Sequence, residues 1–176
     1  MRAPAAGQNK GMSLPGEKVL IVGIGNELLG DEGLGVHVAR SLLGAKASLP
    51  PQVEVLDAGT ALLDLLPEMS RYSRVILVDA VRAGQEAGRI YRLESLADFA
   101  GQLDTNPRMS LHQWDLMETL RVAEMLGLLP KKLSLVGAEP ESIAPGTELS
   151  PKLTQAAEKI VSILLDEASS TEQGNW

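Results

Sequence analysis

The chain has 176 residues, a formal net charge of -7 at neutral pH and no cysteine. That length suits one domain, which buries roughly 70% of its unfolded surface in a single core. The negative charge argues against binding to a phosphate backbone, which needs clustered Lys and Arg, so nucleic acid is not an expected partner. Without cysteine there is no disulfide, no thiolate metal site and no cysteine nucleophile, and any metal must be held by oxygen and imidazole.

Residues 1–16, MRAPAAGQNKGMSLPG, lack the apolar run of a secretory signal and read as a flexible tail. No window approaches the roughly 18–20 apolar residues of a membrane span, so a cytoplasmic protein without membrane insertion is expected. The domain is placed at 17–167, with a second flexible tail over 168–176. Lys18–Val22, KVLIV, is an apolar run ending at glycine, as a buried parallel strand does. From Leu34 to Leu43 the spacing of Leu34, Val38 and Leu42, with Leu43 adjacent, predicts a helix whose free N–H groups Asp31 can cap. Val53–Leu56 is a short alternating strand ending at Asp57, before a helix from about Thr60 to Leu66.

Arg74–Val81, RVILVDAV, is the most β-rich segment and contains Asp79. Turn residues over 84–88 lead into an edge strand, Gly88–Leu93. Ser110 and Gln113 form a capping box for a helix running to Leu126, with Leu116, Leu120 and Met125 on its apolar face. Lys132–Val136 is the last strand, followed by the loop GAEPESIAPGTE and a helix from about Ser150 to Glu167. Alternating strands and helices predict a three-layer α/β/α sandwich, phosphorylase/hydrolase-like, with a mostly parallel twisted sheet. Ligands gather at the carboxyl ends of such strands, where the acids following strands one and two and Asp79 of strand three would share one rim.

The stretch IVGIGNELLGDEGLG begins like a dinucleotide-binding turn, with Gly23 and Gly25 after a strand and Asp57 closing the next one. The third glycine of that fingerprint would fall at Leu28. A pyrophosphate at the helix N-terminus would also meet Asp31 and Glu32, and the like charges would repel by several kcal/mol. As a purely structural pair, Asp31 would be an N-cap and Glu32 a first-turn acid complementing the helix dipole.

Asp79 is costly on a buried strand unless it is paired, metal-bound or at the strand's exposed end, which makes it a site candidate; otherwise it caps a nearby turn. Asp57 is either a support that caps the following helix or a catalytic group. Of the two histidines, His37 reads as a satisfied surface residue within the first helix. His112 is the second residue of a capped helix, where the positive end of the dipole keeps imidazole neutral and available to a metal.

Five segments, GIGNELLGDEGLGV (23–36), LDAGTA (56–61), VILVDAV (75–81), SLHQWDL (110–116) and KKLSLVGAEPESI (131–143), together resemble the hydrogenase maturation endopeptidases. Those enzymes trim the C-terminal extension from the large subunit of nickel-iron hydrogenases. Carried over by motif, the resemblance implies that Glu32, Asp79 and His112 bind nickel that belongs to the precursor, so that the protease reads whether metal insertion is complete. Three such donors leave coordination positions open, which the resemblance fills with cysteine thiolates of the precursor. The isolated chain is expected to retain little nickel.

No G-x-S-x-G elbow and no cysteine nucleophile is present, so water is the expected nucleophile. It would be activated by Asp57 or Asp79, as in an aspartic-type protease, or by nickel as a Lewis acid. Gly25, Asn26 and Asp31 of the first turn, with Gly137 and Glu139 of the last loop, are expected to hold the extended substrate peptide. Two alternatives remain beside this reading, a dinucleotide-binding regulator and a non-catalytic nickel chaperone.

Overall fold

The computed structural model of the protein describes residues 18–94 and 111–170, and within them the side chains of all but 47, 111–115, 169 and 170. Five strands form one sheet: β1 (Val19–Ile24), β2 (Val53–Gly59), β3 (Arg74–Ala80), β4 (Ile90–Leu93) and β5 (Lys132–Ala138), in the order β2-β1-β3-β5-β4. β2, β1, β3 and β5 run parallel, and β4 pairs antiparallel with β5 at the edge. Four α-helices are described: α1 (Leu34–Gly44), α2 (Leu62–Met69), α3 (Leu111–Met125) and α4 (Pro151–Ser170). The expected mostly parallel sheet with helices on both sides is therefore the architecture of the protein.

Burial follows from strand position. Every residue of β1 and β3 is buried, because central parallel strands are covered on both faces. Among the described residues β2 has one sheet neighbour, β1, and it alternates buried with exposed over Val53–Val55. Side chains alternate across the pleat, so Leu20, Val22, Val75 and Leu77 pack with α2 and α3. Val19, Ile21, Ile76 and Val78 pack with α1 and α4 on the other face.

Several boundaries differ from the sequence expectation. β1, β2 and β5 extend to Ile24, Gly59 and Ala138, so Asp57 and Gly137 lie within strands. α4 ends at Ser170, beyond Glu167. Leu116, Met117, Leu120 and Ala123 form the buried stripe of α3, whereas Met125 is 86% exposed. Nine residues at about 100° each put Met125 half a turn around the helix from Leu116. The proposed cap residue Ser110, the Gln113 side chain, and residues 1–16 and 171–176 lie outside what the structure describes, whereas residues 168–170, expected in the C-terminal tail, continue α4. No described helix is long and apolar enough to cross a membrane.

Candidate active site

β1 ends at the glycine turn, and the turn is shaped by what crosses it. Gly25 has φ +139°, and a Cβ there would lie 2.0 Å from the carbonyl oxygen of Glu32, so only glycine lets the chain pass. Its N–H donates to the Gly59 carbonyl at 2.9 Å. The chain then makes a short 3-10 turn, Asp31–Gly33, directly before α1. At Gly35 a Cβ would meet the carbonyl oxygens of Val78 and Ile24 at 2.1 and 2.2 Å. The first turn of α1 thus rests on the ends of β1 and β3, which brings the buried Glu32 beside Asp79.

Alternation along β3 puts Asp79 on the side of Val75 and Leu77, the face covered by α2 and α3. Asp79 is 1% exposed, and its Oδ1 accepts the Ala80 N–H at 2.8 Å. Burial pushes the Asp79 carboxyl well above the usual carboxylate range. The Ala80 hydrogen bond opposes this, and the charge of Glu32 adds to it. Two of the three expected nickel-facing residues are therefore neighbours in a buried, water-poor place. His112 lies in the first turn of α3, the helix that packs on the Asp79 face and returns the chain to the start of β5; its side chain is outside the described residues. Among the described residues, no three His, Cys, Asp or Glu side chains form a metal-holding group.

Asp57 is not part of this pair. It lies on the side of Val53 and Val55, the α1 face, opposite to Asp79. Arg40 of α1 donates to its Oδ2 at 2.9 Å and also pairs with Glu27. The other oxygen of Asp57 accepts the Gly59 N–H at 3.1 Å. Since Gly59 in turn accepts the N–H of Gly25, Asp57 supports the glycine turn. The rim is shared, as the strand ends imply, but the pleat sends these two acids to opposite faces.

The expected peptide contacts are also largely occupied within the fold. Asp31 makes no side-chain cap to the 3-10 turn. Instead it accepts the N–H groups of Glu141, Ser142 and Ser150 and the hydroxyl of Ser150. Glu139 is 5% exposed and accepts the N–H groups of Ala83 and Gly84, at 2.9 and 3.0 Å, and the Tyr91 hydroxyl at 2.5 Å. Burial, with the bond to Glu139, raises the Tyr91 hydroxyl above its ordinary pKa. Gly137 sits inside β5 between Asp79 and Tyr91, and a Cβ there would lie 2.4 Å from the Asp79 carbonyl oxygen. Asn26 accepts the N–H of Leu28 at 3.0 Å.

Sequence reasoning missed Arg40 and Tyr91. Their roles depend on which strand lies beside which, information that local spacing does not carry. His37 is satisfied, as expected, with its Nε2 3.2 Å from the Thr147 carbonyl oxygen. The dinucleotide alternative loses its phosphate cradle, because the N–H groups of Gly25, Gly30 and Gly33 are bonded to Gly59, Gly146 and Gly30.

A family model described as HycI, hydrogenase maturation protease, matches residues 36–167. The hydrogenase 2 maturation protease of Escherichia coli K12 is 38% identical over 135 residues, which cover 76% of this chain and 80% of that protein. The hydrogenase expression/formation protein HupD of Bradyrhizobium diazoefficiens is 36% identical over 125 residues, 70% of this chain and 62% of that protein. The chain thus spans less than two thirds of the length of that relative. Among solved structures, the hydrogenase maturating endopeptidase HybD from E. coli superposes with a TM-score of 0.72 at 34% identity, covering 89% of this chain and 94% of that one. HybD from Thermococcus kodakarensis gives a TM-score of 0.72 at 25% identity, covering 86% and 99%. The fold agrees with these solved structures, and the chain belongs to the hydrogenase maturation protease family.

Proposed function

We propose that the chain is the endopeptidase that removes the C-terminal extension of a nickel-iron hydrogenase large-subunit precursor, and that it recognises nickel already seated in that precursor through Glu32, Asp79 and His112. Family membership supports the peptidase activity and the substrate class. One observation carries the nickel reading, namely the burial of Glu32 and Asp79 as neighbours whose charges oppose each other. Two acids desolvated together are costly unless a cation or a proton relieves them. Two carboxylates and an imidazole suit a divalent first-row metal, and they leave positions for ligands from the substrate.

In this reading the nickel is part of the substrate. When the precursor docks, Glu32, Asp79 and His112 would hold its nickel, which would be available there as a Lewis acid. Glu32 and Asp79 orient it, and the burial of Asp79 keeps bulk water away from the carboxylates. The activator of the attacking water is either Asp79 or the nickel. Asp57, held by Arg40 on the opposite face, shapes the glycine turn without touching the scissile bond.

The test mixes the protein with nickel-loaded and nickel-free precursor and follows loss of the C-terminal tail by mass spectrometry. Cleavage is expected in the loaded sample only. Transfer of nickel without cleavage would instead reveal a metal chaperone, and equal cleavage of both samples would remove nickel from the recognition step. Glu32→Gln and His112→Ala are expected to fold normally and to slow processing by roughly 100-fold or more. Full processing by both variants overturns the ligand set.

A further inference from the structure

The Asp31 carboxylate is almost fully buried, at 2% exposure, yet it neither caps α1 nor faces Asp79. Its side-chain hydrogen bonds go to one loop, the connection 139–150 between β5 and α4. Oδ2 accepts the N–H of Glu141 at 2.8 Å, the N–H of Ser142 at 3.2 Å and the Ser150 hydroxyl at 3.0 Å, and Oδ1 accepts the N–H of Ser150 at 2.7 Å. The Ser150 oxygen also accepts the Leu153 N–H at 3.4 Å, capping α4.

The loop's start is fixed separately by Glu139, through Ala83, Gly84 and Tyr91, and its exposed part is held at further points. Gly30 donates to the Gly146 carbonyl at 2.8 Å and Gly146 donates to the Leu28 carbonyl at 2.9 Å. His37 contacts the Thr147 carbonyl. Despite these bonds the loop has little core of its own, for Glu141, Ser142 and residues 144–148 are exposed. A short exposed loop does not need a buried carboxylate for stability alone, since desolvating that charge is itself costly. Rigid loops that stay open to solvent are what a binding wall requires, because ordering is done before the ligand arrives. The loop's anchor is the residue next to Glu32, and the strip beside it carries Leu28 at 64% exposure together with the exposed Ala144 and Pro145.

We infer that Asp31 is a positioning residue which locks loop 139–150 to the Glu32 turn, so that Leu28, Ala144 and Pro145 form a fixed apolar wall for the extended precursor segment flanking the scissile bond. This rests on the reading of the chain as the precursor's endopeptidase. It replaces direct contact between Asp31 and substrate, since the loop already occupies both of its oxygens.

The test compares wild type, Asp31→Asn and Ser150→Ala on nickel-loaded precursor, with amide hydrogen exchange on the same proteins alone. Asparagine keeps the shape but must turn an NH2 toward N–H donors. Exchange across 141–150 in Asp31→Asn is expected to rise about tenfold or more while β1 and β3 stay protected. The KM for precursor is expected to rise about tenfold, with kcat within about threefold of wild type. Ser150→Ala, losing one of the four bonds to Asp31 together with the Leu153 N–H cap of α4, should shift both readouts in the same direction by less, and it carries the test alone if Asp31→Asn does not fold. Unchanged exchange overturns the clamp. Faster exchange with unchanged KM, or a fall in kcat alone, overturns the wall. A wild-type protein that leaves loaded precursor uncut overturns the endopeptidase reading and the wall with it, while the exchange result still decides the clamp.

Discussion

At the scale of the residue, Asp79 is held where its charge is unwelcome. Burial, the largest cause, and then Glu32 raise its pKa in the folded protein, while the unfolded chain keeps an ordinary aspartate. The folded state therefore binds the proton more tightly. Its stabilising contribution is fully present below about pH 4 and is lost as pH rises through the folded pKa. Asp79→Asn removes that loss while keeping an oxygen for the Ala80 N–H. In urea melts at pH 7.5 the metal-free variant should be more stable than wild type by about 1–3 kcal/mol, with the difference shrinking toward pH 4, and it should not process precursor. A variant less stable at pH 7.5 would show that Asp79 is well compensated in the free protein. Stability given up at an active position is a common trade in enzymes.

At the scale of the element, the site depends on how closely α1 sits on the sheet. Helix and sheet normally stand apart by the depth of side chains, and Gly35 removes that depth where α1 begins. Gly35→Ala would drive a methyl group to 2.1 Å from the Val78 carbonyl oxygen, and both neighbours are backbone that cannot rotate away. A loss of about 3 kcal/mol or more is expected by chemical denaturation. Glycine at the other end of α1 gives the contrast. Gly44 has nothing within 4 Å of a Cβ, so Gly44→Ala should be neutral or stabilising by about 0.5–1 kcal/mol. Equal effects at both ends would mean that the close approach does not hold Glu32 in place.

At the scale of the whole molecule, the sheet is a platform whose carboxyl edge gathers residues from separate segments. α4 is fastened across the far side, where Glu167 pairs with Arg92 of β4 and lies 3.8 Å from Arg74 of β3. The carboxyl edge gains its acids from β3 and from the turn before α1, and α3, which carries His112, leads the chain back to the start of β5. A protein that supplies only part of a coordination sphere binds metal weakly until the substrate completes it. After incubation with nickel and desalting, the isolated chain is expected to keep well under one nickel per molecule, and its mixture with loaded precursor to keep it. Stoichiometric nickel on the isolated chain, measured by elemental analysis, would mark an ordinary metallopeptidase.

The sequence alone determined the alternation of strands and helices, because apolar runs such as VILVDAV and the helical spacing of Leu34, Val38 and Leu42 are local patterns with local causes. It also singled out Asp79, since an acid in an apolar strand is an anomaly visible without neighbours, while Glu32 was distinguished from Asp31 only by the family resemblance of its motif. Only the tertiary structure decided which acids meet. Asp57 and Asp79 both close strands at one edge, but pleat and pairing send one toward Arg40 and leave the other beside Glu32. Asp31 read as a helix cap or a substrate contact and Glu139 as a substrate contact, and folding turned both inward to hold segments from 55 or more residues away. Such partners are chosen by the three-dimensional path of the chain, and sequence spacing contains no distance between segments that fold together from afar.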